Sequence, residues 1–410
     1  MKILVISSHH PPYHMGGYEL RIKDIMDGLA KRDHQILVLT THKSKIASQG
    51  NECSDYEVKR KLNNRNHARF FPKELLFDLL DTGTIEREIR RFEPDLIYLG
   101  HTYPLTKQLL PYLASQERPI FYDEGGNGLK GAWTEHGRWF MFCGEWQSNL
   151  QLVNKLKPFV IKAVKALSWG RIIENWHWPQ NMQIMFNSAL NLENARSLGV
   201  PVDNARVIHS GVDTEKFTFK ARDGLSLPLR IIIPGRIEEK KGQLDGVRLV
   251  HALQAHGMDA VLTLVGSIAQ VEYLERIKAE IAQYGLLGKV IIHPFADQEQ
   301  LVALYHQSDI CFFPSYQAEG LSRVPLEAMA CGCLVISYGN EGSKEVISDL
   351  FIGSLVESGN FQQVLNFIDD FQLKPQNLRQ ITFAARAAIE KNFNHKDYIE
   401  KIQALVMNSL

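Results

Sequence analysis

Short apolar runs recur along the sequence, with stretches of helical periodicity between them. Continuous Val, Ile and Leu runs of this length are typical of strands buried on both faces, as in a parallel sheet covered by helices. Strands that alternate with helices build βαβ units, which predicts an α/β chain with doubly wound sheets. The runs interpreted as strands are 3–6, 36–39, 96–99, 120–122, 184–186, 207–208, 231–233, 261–265, 290–292, 310–313 and 334–336.

The pattern restarts after a polar stretch at 213–228. At about 100–200 residues per domain, the 410 residues predict two domains, each large enough for its own core. We predict Rossmann-like domains at 1–212 and 213–390, followed by a C-terminal helix at 391–410. The pattern leaves open whether that helix packs on the N-terminal domain or on the second one.

Composition narrows the class of function. The 46 basic residues are balanced by 46 acidic ones, which argues against nucleic acid as a main partner because phosphate binding requires a basic excess. The five cysteines include no C-x-x-C pair, so we expect reduced thiols in a cytoplasmic protein and no metal site. No apolar stretch reaches the roughly 18 residues of a membrane-spanning helix.

The first candidate site is the turn after the first strand, SSHHPPYHMGGYEL. Gly16 and Gly17 precede a helix, where a glycine backbone can approach a ligand and unpaired N–H groups attract an anion. The G-x-G-x-x-G fingerprint is absent, which disfavours a dinucleotide site. A turn that only needs positive φ is the alternative. His9, in the same loop, is a candidate for contact with an acceptor.

The second candidate is the stretch RIIIPGRIEEKKGQ, in which a strand is followed by Arg236 and Lys241. Open α/β sheets bind ligands at the carboxyl ends of their strands. Arg offers a planar fork for phosphate oxygens and Lys a point charge, so this pair suits a phosphate group. Because Glu238 and Glu239 lie between them, a solvated loop that neutralises itself is the alternative.

The third candidate is SYQAEGLSRVPLEAMACGCLVIS, with Glu319 in a loop and Glu327 in the helix that follows. A carboxylate suits a ribose or sugar diol because its oxygens accept hydroxyl protons. The backbone amides of the loop, those of Gly320, Leu321 and Ser322, suit a diphosphate. Two surface glutamates placed favourably near a helix start are the alternative.

Together these stretches resemble the family-4 retaining glycosyltransferases with the GT-B fold. The resemblance is carried by the E-x7-E pattern from Glu319 to Glu327, PGRIEEKKG, the early GGYE, IHSGVDTEKF at 208–217, LVGS at 264–267 and DICFFPS. These motifs follow the order of the family and span most of the chain. The resemblance implies two Rossmann-like domains that face each other across a cleft. It also implies a nucleotide-diphosphate sugar donor bound mainly by the second domain, an acceptor bound mainly by the first, and no further cofactor.

Carried over to this sequence, the resemblance gives each motif a role. Arg236 and Lys241 would bind the donor diphosphate and stabilise its developing charge without a metal. Glu327 would hold the ribose hydroxyls, and Glu319 would contact the transferred sugar together with the loop amides. Residues that would complete the donor site are Gly16 and Gly17 over the phosphates and the backbone of Phe295 near the base.

The sequence departs from the family pattern after the fourth strand of the first domain. The family usually offers a histidine there, whereas this chain reads IFYDEGGNGLKG. Asp123 or Glu124 is expected in its place, with His101 after the preceding strand as another candidate. We favour front-side transfer assisted by the donor phosphate over double displacement, which needs a well-placed carboxylate nucleophile.

All six tryptophans lie between residues 133 and 178. Within that stretch, 146–173 carries lysines and arginine but no acidic residue. Basic residues interleaved with aromatic ones mark a membrane-surface helix or a groove for a lipid-linked acceptor. A helical pair packed in the domain, with a solvated basic face, is the alternative.

We expect an enzyme that moves a hexose to a glycan or lipid-linked acceptor in polysaccharide or glycoconjugate biosynthesis, in the cytoplasm or at the inner face of the membrane. A glycosyltransferase with a soluble small-molecule acceptor and a sugar-nucleotide-binding protein are the alternatives. A sugar-nucleotide epimerase and an oxidoreductase are disfavoured by the E-x7-E pattern and the Arg/Lys pair.

Overall fold

Strands and helices alternate along the chain in a computed structural model that describes residues 1–13, 16–42, 54–65, 71–126, 128–144, 151–317, 320–350 and 352–409. The strands are β1 Lys2–Ile6, β2 Gln35–Thr41, β3 Glu57–Leu62, β4 Leu96–Leu99, β5 Ile120–Glu124, β6 Met182–Phe186, β7 Arg206–Val207, β8 Leu229–Pro234, β9 Ala260–Val265, β10 Val290–His293, β11 Ile310–Phe313, β12 Leu334–Ser337 and β13 Ser354–Leu355. The helices are α1 Gly17–Ala30, α2 Phe71–Phe92, α3 Leu109–Ala114, α4 Gly128–Thr134, α5 Arg138–Cys143, α6 Gln151–Leu167, α7 Ala189–Ser197, α8 Gln243–Ala255, α9 Val271–Gln283, α10 Gln298–Gln307, α11 Arg323–Ala330, α12 Ser343–Leu350, α13 Phe361–Leu373, α14 Pro375–Asn392 and α15 His395–Met407.

The chain divides into two compact units, neither of which is continuous in sequence. The second unit begins its main segment at His209, four residues before the predicted boundary at 213. The predicted helix at 391–410 corresponds to the end of α14 and to α15, which begins in one unit and continues in the other. The first unit comprises Met1–Asn187, Leu192–Ile208 and Ile399–Leu410, and the second comprises Ser188–Asn191 and His209–Tyr398.

The first unit is built on a parallel sheet of seven strands in the order β3-β2-β1-β4-β5-β6-β7. Ile3 pairs with Ile36 on one side and with Leu96 on the other, and all three side chains are buried. The strand β3 was not predicted, because its sequence EVKRKL is largely charged. It lies at the edge of the sheet, where charged side chains reach water and discourage pairing with another chain.

The second unit is built on a parallel sheet of six strands in the order β10-β9-β8-β11-β12-β13. Ile231 of β8 pairs with Leu262 of β9 and with Ile310 of β11. The strand order therefore reverses between β8 and β11, as it does between β1 and β4 in the first unit. The predicted α/β architecture of two doubly wound sheets is confirmed, and each reversal marks a place where such sheets bind ligands.

Within the first unit, the C-terminal helix α15 packs against α1. A Cβ atom on Gly28 would lie 2.8 Å from Cγ2 of Ile399, so only glycine admits the helix at this distance. Gln403 also lies 3.3 Å from the ring of His34. Among the helices of the described residues, none combines the length and apolar character required to cross a membrane.

Candidate functional site

In the second unit, Arg236 follows β8 at the point where the strand order reverses. Its guanidinium lies 2.9 Å from Oε1 of Glu238, and its side chain is partly exposed. The backbone of Arg236 is fixed independently, because its carbonyl accepts a hydrogen bond of 2.8 Å from the side-chain amide of Gln243. A held backbone with a partly exposed guanidinium is suited to bind an anion above the sheet edge.

Lys241 ends a 3-10 turn, Glu239–Lys241, that leads through Gly242 into α8. Gly242 has φ of 71°, in the left-handed region that favours glycine. A Cβ atom there would overlap the carbonyl oxygen of Pro314, which follows β11. The loops after the two central strands therefore meet through this glycine, and Lys241 is placed at their junction.

A buried carboxylate that the sequence reading missed holds these loops together. Asp245, in the first turn of α8, accepts hydrogen bonds from the hydroxyls of Tyr316 and Tyr338, the latter at 2.6 Å. Tyr316 follows β11 and Tyr338 follows β12, so one side chain joins three carboxyl-end segments of the sheet. The sequence alone identifies Asp245 only as an acidic residue near the start of a helix, where the helix dipole favours negative charge.

The predicted phosphate-binding loop leads into α11, with Ser322 as the N-cap residue of that helix. The N–H of Ser322 donates to Oε2 of Glu341 at 3.4 Å, and the N–H of Ser343 donates to the same oxygen at 2.9 Å. The amide of Ser322 therefore has an internal acceptor. The other oxygen of Glu341, Oε1, is buried without a hydrogen-bond partner among the described residues.

Burial raises the pKa of Glu341 to about 7, although the bonds from Ser343 and Ser322 and the charge of Lys241 act in the opposite direction. The folded protein then binds this proton more tightly than the unfolded chain, whose glutamate titrates near 4.5. The contribution of this bound proton to the free energy of unfolding is complete below pH 4.5 and is lost as the pH rises through about 7.

We predict that the free energy of unfolding of the second unit falls between pH 5 and pH 7, by up to about 1.4 kcal/mol per pH unit from this group. In Glu341→Gln, which cannot titrate, that contribution is absent. The difference between the two proteins in urea unfolding across this pH range isolates Glu341 from other titrating groups. Parallel pH profiles for the two proteins would contradict the assignment.

The remaining donor candidates lie in different surroundings. Glu327, in α11, is largely buried, and its Oε1 accepts a hydrogen bond of 3.1 Å from Nε of Arg323. Phe295 follows β10 and is 46% exposed, which leaves its ring open to a ligand. Gly320 and Leu321 are both buried. Glu319 lies outside the described residues.

In the first unit, a polar cluster lies at the carboxyl ends of β1 and β4, next to the start of α1. Glu19 is buried, with Oε1 at 3.4 Å from Nδ1 of His101 and Oε2 accepting the N–H of Gly16 at 3.1 Å. Nδ1 of His101 also lies 3.0 Å from Oγ of Ser8. Burial raises the pKa of Glu19, but the hydrogen bond and charge of His101 outweigh it, and the net pKa is lowered.

The predicted acceptor residue His9 belongs to the same cluster. It is buried, with Nδ1 at 3.4 Å from Oγ1 of Thr41, and burial lowers its pKa. The glycines keep their predicted position, since Gly16 is the N-cap residue of α1 and Gly17 is its first residue. Sequence reasoning missed Glu19, whose spacing of three from Gly16 is that of a residue that closes a helix N-terminus.

The structure places Asp123 and Glu124, the residues predicted near the transferred sugar, in buried surroundings. Asp123 is fully buried, and its oxygens lie 2.6 Å from Nη2 of Arg21 and 2.7 Å from the hydroxyl of Tyr98. Glu124 is also buried and accepts the N–H of Gly126 at 2.6 Å, along with that of Leu129. Burial raises the pKa of both carboxyls despite these partners. Both carboxyls have internal hydrogen-bond partners, whereas the side chain of His101, the other candidate, is partly exposed.

Comparison with known proteins agrees with this architecture. The family model described as Glycosyltransferase Family 4 matches residues 15–216, and that described as Glycosyl transferases group 1 matches residues 219–388. The structure of HepE from Anabaena, solved in complex with UDP, superposes over 100% of both chains with a TM-score of 0.69 and 19% identity. The chain belongs to the family-4 glycosyltransferases with the GT-B fold.

Other relatives within the glycosyltransferases match over part of their length. The amylovoran biosynthesis glycosyltransferase AmsK of Erwinia amylovora is 30% identical over 222 residues, which cover 53% of this chain and 54% of AmsK. The chain spans about half the length of such relatives. A sucrose-phosphate synthase from Thermosynechococcus elongatus shares the fold, with a TM-score of 0.73 at 18% identity over 99% of this chain and 98% of that one.

Proposed function

We propose that the protein is a retaining glycosyltransferase that moves a hexose from a nucleotide-diphosphate sugar to a glycan or lipid-linked acceptor. The observation that carries this proposal is the pair Arg236 and Lys241 beside the strand reversal of the second unit, next to the loop that leads into α11. Two cations at this position suit a diphosphate. HepE, which shares the fold, was solved with UDP and with UDP-glucose, which supports a donor of that class.

In the proposed reaction, the bond between the anomeric carbon and the donor phosphate oxygen breaks, and negative charge grows on the diphosphate. Arg236 and Lys241 stabilise that charge, the role that other transferases give to a metal ion. The acceptor oxygen bonds to the anomeric carbon from the same face, and its proton passes to the departing phosphate. Glu327 holds the ribose, and Glu319 contacts the transferred sugar.

The proposal of a glycan or lipid-linked acceptor is supported by the relatives and by a polar cluster in the first unit. AmsK and the WcaL proteins are named for the biosynthesis of amylovoran and colanic acid, which supports a role in polysaccharide biosynthesis. The cluster of His9, Glu19 and His101 offers polar groups for an acceptor hydroxyl. A soluble small-molecule acceptor is the alternative that the fold alone would equally permit.

A panel of nucleotide-diphosphate sugars tests the proposal by thermal unfolding. We expect one donor to stabilise the protein, by about 2.7 kcal/mol at 100-fold excess over its Kd. With that donor, we expect transfer of the hexose with the anomeric configuration retained, and undiminished activity in EDTA. Stabilisation without transfer would indicate a binding protein, and epimer formation an epimerase. If no nucleotide sugar stabilises the chain, the donor assignment fails.

A further inference from the structure

Helix α6 turns four large apolar side chains toward solvent. Leu156, Phe159, Val160 and Leu167 are all exposed, Phe159 to 71% and Leu167 to 77%. Their spacing places them on one face of the helix, and we call them the apolar stripe. A surface helix of a globular protein normally turns such a stripe toward the core, so the polarity of α6 is inverted.

The opposite face of α6 attaches the helix to the first unit. Its partly buried positions are Asn154, Lys157, Ile161 and Val164, which recur at spacings of three and four. Nζ of Lys157 donates to the carbonyl of Gly144 at 2.6 Å, at the end of the preceding helix. Since the helix is held from this side, the apolar stripe is not needed for its attachment.

One flank of the stripe is basic. Lys155 and Lys162 are exposed and lie seven residues apart, on the edge of the face that carries Phe159. The sequence from 151 to 173 contains no acidic residue. An apolar face bordered by lysines complements a surface that is apolar inside and negatively charged outside, which describes a membrane with anionic headgroups.

Trp169, just beyond the end of α6, points to the same partner. It is 84% exposed, and its φ of 57° lies in the left-handed region that favours glycine or asparagine. Other tryptophans of this stretch are packed internally, since Trp133 contacts the rings of Trp176 and Trp178, and Trp139 is buried. Trp169 therefore occupies a position that neither local backbone preference nor packing explains. Tryptophan is enriched at membrane–water interfaces.

We propose that α6 lies in the plane of an anionic membrane surface, with the apolar stripe and Trp169 at the boundary of headgroups and acyl chains. Lys155 and Lys162 then face the headgroup phosphates. Access to a lipid-linked acceptor would follow from this placement, a consequence that rests on the transferase function proposed above. Membrane binding itself does not depend on that function.

Co-sedimentation of the full chain with vesicles tests the proposal. We expect binding to phosphatidylcholine vesicles that contain phosphatidylglycerol, weaker binding to phosphatidylcholine alone, and a decrease with rising salt. Phe159→Glu is expected to lower the partition constant by on the order of 10- to 100-fold. Replacing Lys155 and Lys162 with glutamine is expected to lower it about 5-fold per lysine on anionic vesicles only.

Matched variants separate binding from folding. Leu80→Glu alters an exposed leucine of α2, a helix that carries acidic residues, and is expected to leave vesicle binding unchanged. Trp169→Gly is expected to weaken binding while the Tm stays equal or rises, because glycine suits the backbone there. Loss of binding in that variant together with a lower Tm would contradict the assigned role of Trp169.

Three results would overturn the proposal. The first is equal binding of the protein to neutral and anionic vesicles. The second is vesicle binding that is unchanged in Phe159→Glu. The third is self-association of the free protein that is abolished in Phe159→Glu. The last result would assign the apolar stripe to a second copy of the chain. Donor-induced thermal stabilisation, measured without vesicles in the same variants, tests the transferase function separately, so the two failures are distinguishable.

Discussion

Replacing Arg236 or Lys241 with alanine is expected to slow glycosyl transfer by on the order of 10²–10³-fold, the loss typical when one group that stabilises developing charge is removed. For Arg236 the effect has a second source. Its guanidinium lies 2.9 Å from the largely buried Glu238, so removing it leaves this carboxylate, next to the proposed phosphate position, paired with the more distant Lys240 at 3.7 Å. Steady-state kcat/KM with the donor found by thermal unfolding measures both variants.

Two further substitutions make this test specific. Arg236→Lys keeps the charge but loses the planar fork, and we expect an intermediate loss. Arg276→Ala removes an exposed cation of the same unit, paired with Glu239 at 2.7 Å, and is expected to leave kcat/KM unchanged. Near-normal turnover in both alanine variants would refute the diphosphate assignment, provided that their Tm values match the unaltered protein.

Arg222→Met is expected to destabilise the second unit by about 3–5 kcal/mol, since each buried carbonyl left without a donor costs about 1–3 kcal/mol. The guanidinium is buried and donates to the carbonyls of Tyr305 at 2.7 Å and Cys331 at 3.1 Å. Tyr305 is near the C-terminus of α10, and Cys331 is the C-cap residue of α11. One cation thus satisfies the ends of two helices, where the helix dipole also favours positive charge.

The distribution of tryptophan allows the unfolding of the two units to be measured with different signals. All six tryptophans lie between residues 133 and 178, within the first unit. We expect Arg222→Met to lower the Tm followed by far-UV circular dichroism by roughly 10 °C. The transition followed by tryptophan fluorescence is expected to shift less. Arg230→Met, at an exposed position of β8, is the control, and an equal shift in that variant would contradict the role of Arg222.

The sequence predicted the central strands well, because stretches such as 3–6 in β1 and 231–233 in β8 are buried and read as unbroken apolar runs. It did not predict β3, whose charged residues suit an edge position, or the two-residue strand β13. Hydrophobic patterning reports burial, and short or edge strands depend instead on pairing with a neighbour that is distant in sequence.

The candidate site was predictable only in part, for a related reason. The positions of Arg236 and Lys241 follow from local order along the chain, a strand and then a loop. The network of Asp245 depends on which strands are neighbours in the sheet, and that is a long-range property. Asp123 was expected just after the strand at 120–122 and lies within β5, but its partner Arg21 is 102 residues away, and no spacing rule identifies such a pair.

The packing of α15 against Gly28 has a consequence for how the chain folds as it is synthesised. The face of α1 around Gly28 is synthesised before any residue of the second unit, yet Ile399, which covers it, follows the last residue of that unit. The second unit, whose segments end at Tyr398, has all of its residues available before the first unit does. Domains generally fold as units during synthesis, and contacts of such high sequence separation form slowly. Of the two units, the one that is begun first is therefore completed second, and the face of α1 around Gly28 stays uncovered until all residues of the other unit have been made.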